Sequence, residues 1–166
     1  MCEFKSAIVL RDEAAKGGFR LLMSPWTENH SELETIFKLL PDKRCNRAKV
    51  EFKSKDMAEA YKPDTYTLSI DEDRCPDWFN ETMKEDVTAK MRDYIASIIV
   101  SGDMQLLVGG QFIIAPGAKV ECAKCMVISA MCGGTLTEMC GGTITAMRGG
   151  TITAMRGGEI IEDYRL

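Results

Sequence analysis

The stretch GGTITAMRGGTITAMRGG, residues 141–158, copies an eight-residue unit without change. Extending that frame in both directions divides the C-terminal part into GGQFIIAP (109–116), GAKVECAK, CMVISAMC, GGTLTEMC, GGTITAMR, GGTITAMR and GGEIIEDY (157–164). The fourth column reads Phe112, Val120, Ile128, Leu136, Ile144, Ile152 and Ile160, and is apolar even where the rest of a block has drifted. A fixed short period means that one small unit is stacked repeatedly, each copy contacting mainly its neighbours.

Two stacks suit such a unit. If each Gly-Gly pair is a hairpin turn, the octads form an antiparallel meander. Adjacent strands would then pair unlike columns, and neither face would be uniformly apolar, which conflicts with burying one of them. If the strands run parallel, Ile stacks on Ile and Thr on Thr. The parallel β-solenoid is the preferred reading and the meander the alternative. Eight residues are too few to enclose side chains, so two octads per coil are expected, with Gly-Gly at corners that need permissive φ. Seven octads give three and a half coils, about 17 Å of stack at the spacing of neighbouring strands. The fourth column is the expected solenoid core. Whether position 6 or position 7 also turns inward stays open: strict alternation favours 6, but Glu138 and Glu162 stand there. The last octad, with Glu159 and Asp163 in place of Thr and Met, reads as a polar cap against end-to-end stacking.

The N-terminal part has no such period. EFKSAIVLRDE and GGFRLLMS read as a strand hairpin. NHSELETIFKLL spaces Leu33, Ile36, Phe37 and Leu40 as one helix face, with Asn29 as N-cap and Pro41 as stop. AKVEFKSK and TYTLSID read as two further strands. CPDWFNETMKEDVTAKMRDYIASIIV reads as a long amphipathic helix, with Trp78, Met83, Val87, Met91, Tyr94, Ile95 and Ile98 on one face. The order ββαββα predicts a small α+β domain over 1–104, its helices on one side of an antiparallel sheet, followed by the octad solenoid over 105–166.

The motifs FKSAIVLRDE, HSELETIF, RAKVEFKSK, YTLSIDEDRCPDWF and GGQFIIAPGAKVECAK, together with the GGT octads, resemble an octad-repeat family of gut Bacteroidales and their phages or mobile elements. The resemblance covers nearly the whole chain. It implies an α+β head followed by a tail of variable octad number, and it brings no catalytic residue.

Composition narrows the function classes. The net charge is −4, and the excess acid lies before residue 105, beyond which there are five acids and five bases. No basic patch for nucleic acid is expected. No apolar run approaches the roughly 20 residues of a membrane span, and the N-terminus has no signal-peptide pattern, so a cytoplasmic location in a bacterial host cell is expected. Seven cysteines without a secreted-domain spacing read as free thiols.

Candidate chemistry is sparse. Cys122 and Cys125 form a CxxC pair that could supply two zinc thiolates, with Cys132 and Cys140 nearby in sequence. Two octads per coil would send Cys132 and Cys140 to opposite sides, so neither metal nor another cofactor is expected. His30, the one histidine, reads as a surface or capping residue on a first helical turn. Asp71, Glu72, Asp73 and Asp77 make an acidic loop without EF-hand spacing. The Gly-Gly pairs lack the Lys-Ser/Thr of a phosphate loop. The TxT pairs at 135/137, 143/145 and 151/153 would be divided between two sides, too few for an ice-binding face. The expectation is a non-catalytic structural or interaction protein. Its partner would be another protein or a second copy, with a phage or mobile-element accessory role acting on a host protein. The alternative is a small-ligand binder or enzyme using a cleft between head and solenoid.

Overall fold

The computed structural model describes residues 4–41, 45–72 and 75–165. It is a mixed α/β fold with an antiparallel sheet of four strands and a nearly closed parallel sheet of five. Contacts divide the chain into two units, one of residues 1–54 and 66–93, the other of 55–65 and 94–166. The expected division at residue 104 thus falls inside a strand of the second unit, and the 55–65 segment belongs with the repeats.

In the first unit, β1 (Phe4–Arg11), β2 (Phe19–Leu22), β3 (Arg47–Ser54) and β4 (Tyr66–Ile70) pair in the order β2-β1-β3-β4. Lys5 to Val9 are all buried, so β1 is covered on both faces. Helix α1 spans His30–Ile36, and Asn29 caps it by accepting from the Ser31 and Glu32 N–H groups. It stops a turn before the expected Leu40. Lys38 takes φ +53°, and the N–H groups of Lys38 and Leu39 turn back to Thr35 and Glu34, a Schellman closure. Leu33 is therefore buried, whereas Ile36 and Leu40 lie exposed.

Helix α2 spans Glu81–Ile98 and buries Val87, Met91 and Ile95 at four-residue spacing. It begins later than the sequence suggests, because Pro76–Phe79 form a turn and the Asn80 side chain accepts from the Met83 N–H. Trp78 stands outside the helix and donates its indole N–H to the Cys45 carbonyl.

The second unit contains β5 (Ile99–Val100), β6 (Asp103–Val108), β7 (Gln111–Ile114), β8 (Lys119–Lys124) and β9 (Met126–Asp163), in the order β5-β7-β9-β8-β6. Every pairing among them is parallel. Val120 lies opposite Met104 on one side and Leu136 on the other, and Phe112 lies opposite Ile128. Each of these partners is sixteen residues away. A bulge after Phe112 shifts Ile113 and Ile114 by one.

The 38 residues of β9 would reach about 125 Å if straight. They turn instead at the second glycine of each pair, where φ is +75° at Gly134, +96° at Gly142, +84° at Gly150 and +93° at Gly158. These corners are also closely stacked. A Cβ on Gly142 would sit 2.3 Å from the Met126 carbonyl oxygen, and one on Gly158 would sit 2.6 Å from that of Gly142. Both the left-handed backbone and the close approach exclude a side chain.

Val120, Ile128, Leu136 and Ile144 are fully buried in one apolar cluster, with Phe112, Ile152 and Ile160 half-buried against it. Position 7 faces the same core through Ala123, Met131, Met139 and Met147. Along β8, Glu121 and Cys122 both lie outside the core while Val120 and Ala123 lie inside, so alternation breaks after the fifth residue. The break carries Glu138 outward. The frame also extends one block further back than the Gly-Gly pairs advertise: SGDMQLLV (101–108) pairs Met104 with Val120 and Leu107 with Ala123. At the other end Met147, whose carbonyl accepts from the Tyr164 N–H of the last octad, is fully buried, whereas Met155 is 45% exposed.

Candidate functional site

The parallel sheet has two unlike sides. On one, the Gln111 amide donates to Ser129, Tyr94 donates to Gln111, and the Cys132 thiol meets the Met57 carbonyl at 3.7 Å. The 55–65 segment and the end of α2 thus lie against β7 and the 126–132 stretch of β9. This covering is why the outward side chains are buried there, at Ala130 and Ala146 in position 6 and at Ile113, which the bulge sets opposite Ala130. Burial pushes the Cys132 thiol up, opposed by hydrogen bonds to the Tyr61 and Ala60 backbone. Further along this side, the Arg148 guanidinium lies 4.3 Å from the Tyr164 ring.

The other side, built from β6, β8 and residues 133–140 of β9, is open. Its side chains stand in rows set by the register: Asp103, Lys119 and Thr135 in one, Leu106, Cys122 and Glu138 in another. Asp103, Met104, Gln105, Lys119, Val120, Glu121 and Thr137 line a shallow groove of about 540 Å³. The charges along this side alternate in sign.

Cys122, Glu138 and Cys140 form a cluster next to that groove, with their ligand-type atoms all within 4.8 Å of one another. The Cys140 thiol is pushed up, first by desolvation, then by its hydrogen bond with Cys122 and the negative charge of Glu138. Arg156 forms an ion pair with Glu138. The CxxC pair does not come together as a ligand pair. Cys125 occupies a corner in place of a glycine, with φ +47°, and is exposed. Its local backbone serves the turn, whereas Cys122 lies along a strand.

His30 departs from the surface role expected of it. It is 9% exposed, with Nδ1 at 2.9 Å from Asp71 Oδ2 and Nε2 at 3.2 Å from the Val50 carbonyl oxygen. Both ring nitrogens face acceptors within the first unit, which leaves neither to draw a proton from a nucleophile. Of the acidic loop, Asp71 is committed to His30, and Asp77 lies in the turn before α2 rather than at its first residues. Asp73 lies outside the described residues. Glu51 is pushed up by burial and then by the charge of Asp71.

The sequence reading missed two groupings. Glu138 and Cys140 beside Cys122 had a signal, since 138 follows 122 by one two-octad spacing and 140 returns to the same side two residues later. The buried Lys5, whose ammonium meets Glu28 at 2.9 Å and the Ser24 carbonyl, had none. Burial lowers its pKa, and the Glu28 charge opposes that.

Comparison with family profiles, with curated proteins and with solved structures finds no match to this chain. Among the described residues, no helix is long and apolar enough to cross a membrane.

Proposed function

We propose that the protein is a non-catalytic interaction module: an α+β head followed by a β-solenoid of eight-residue repeats, two per coil, whose open side is presented to a protein partner. The observation that carries this reading is the sixteen-residue parallel register, which sets outward side chains in straight rows on a side left uncovered. A repeat stack supplies such a surface at little folding cost, because each unit is held by its neighbours. A protein partner suits the side better than nucleic acid: Lys119, Lys124 and Arg156 are matched by Asp103, Glu121 and Glu138. The resemblance to octad-repeat proteins of Bacteroidales phages and mobile elements makes a host protein the natural partner, by analogy rather than chemistry.

The test is affinity isolation from the native host with the wild-type chain and with a Lys119→Glu, Glu121→Lys double variant. A partner recovered by the first and lost by the second, with equal thermal melts, supports the reading. Recovery that ignores the double variant overturns the assignment of the open side.

A further inference from the structure

The Cys122, Glu138 and Cys140 cluster follows directly from the register. Glu138 lies opposite Cys122 on the neighbouring strand stretch. Cys140, two residues further on, returns to the same side, at the diagonal distance across which side chains meet. All three are half-buried, and both thiols are free.

We propose that Cys122, Glu138 and Cys140 bind a thiophilic divalent cation of the zinc class, with a fourth position open to water or an exogenous donor. Two thiolates and a carboxylate with one vacancy are a donor set that zinc accepts in tetrahedral geometry. The two sulfurs disfavour magnesium and calcium, which take oxygen ligands. Two thiolates and a carboxylate with their ligand atoms all within 4.8 Å of one another would repel without a cation between them. Binding replaces the two thiol protons, which leave to solvent, with two sulfur–metal bonds; no electron changes hands. The resulting site carries one net negative charge. Lys124, whose charge acts on Cys140, and Arg156, paired with Glu138, are placed to balance it. Arg156 is largely exposed and can release one carboxylate oxygen to the ion.

The experiment uses the full chain, reduced and metal-free, titrated with cobalt(II) and then with zinc. One cobalt per chain is expected, with thiolate-to-cobalt charge-transfer absorption and release of about two protons per ion. Cys140→Ser should weaken binding by more than the roughly 10- to 100-fold typical of losing an outer-sphere partner. Glu138→Gln should weaken binding yet keep the charge-transfer band, and Cys125→Ser should leave it unchanged. Alkylation of the cobalt-loaded wild type should mark Cys125 and spare Cys122 and Cys140, which needs no variant to fold. Absence of saturable binding overturns the proposal, as does protection of Cys125 in place of Cys140.

Discussion

The two sheets solve the same problem in different ways. In the antiparallel sheet, β1 is buried on both faces, and its buried Lys5 ammonium meets particular distant groups, the Glu28 carboxylate and the Ser24 carbonyl. In the parallel sheet, Leu136 packs where Val120 and Ile152 also pack, and Gly158 stands over Gly142. The first sheet is held by individual partners and the second by classes of position. A residue in the first therefore matters for what it touches, and one in the second for where it falls in the octad.

The sharpest test is a charge in the repeated core. Ile144→Asp should unfold the second unit, at several kcal/mol, because an unpaired carboxylate has no partner there. Thr153→Asp, nine residues on and exposed, should leave the melt nearly unchanged. Comparable damage from both would contradict the division into inward and outward columns.

Breaking the first sheet's particular pair comes next. Lys5→Ala leaves Glu28 facing the protein without its ammonium and should cost about 3–5 kcal/mol. Lys5→Met should cost less when Glu28→Gln accompanies it, and a double-mutant cycle in urea measures that coupling.

Deletions address phase. Removing 141–156 takes out two octads and keeps the last one on its side of the sheet. Removing 149–156 takes out one and moves the last octad to the other side. The longer deletion should melt higher than the shorter. If the order reverses, two octads do not make one repeat of the register.

Gly142→Ala should destabilise by about 1–3 kcal/mol, from positive φ and from the Met126 carbonyl beneath it. Gly102→Ala, with open space around its Cβ position and no positive φ, should have little effect.

The smallest effect concerns pH. Burial raises the Cys132 thiol above its ordinary value of 9.0. Below that value both folded and unfolded chains hold the proton and stability is unaffected. As pH rises through 9.0 toward the folded value, the unfolded chain loses its proton first, so stability falls. Cys132→Ala should flatten that decline in urea melts between pH 8 and 10 on the order of the thiol's ordinary titration range.

Much of the local structure was legible because it rests on near neighbours. Asn29 caps α1 through groups two and three residues away, and the apolar fourth column marks the repeated core whatever strand it joins. Helix ends were less legible. Leu40 has the right spacing for the α1 face, yet the Schellman closure at Lys38 turns the chain before it. The candidate site was half visible: Cys122 stood out through its CxxC spacing, but that spacing pointed to Cys125, which the corner carries away.

By itself, then, the sequence determined the period, the corners and the apolar column, because each is fixed by steric limits within a few residues or by the translation of one unit onto the next. Only the tertiary structure decided which side of the parallel sheet is covered and that position 7 turns inward. It alone placed Lys5 against Glu28. Those outcomes depend on where the chain bends and on which segments pack across it, and neither leaves a mark in the spacing of the residues concerned.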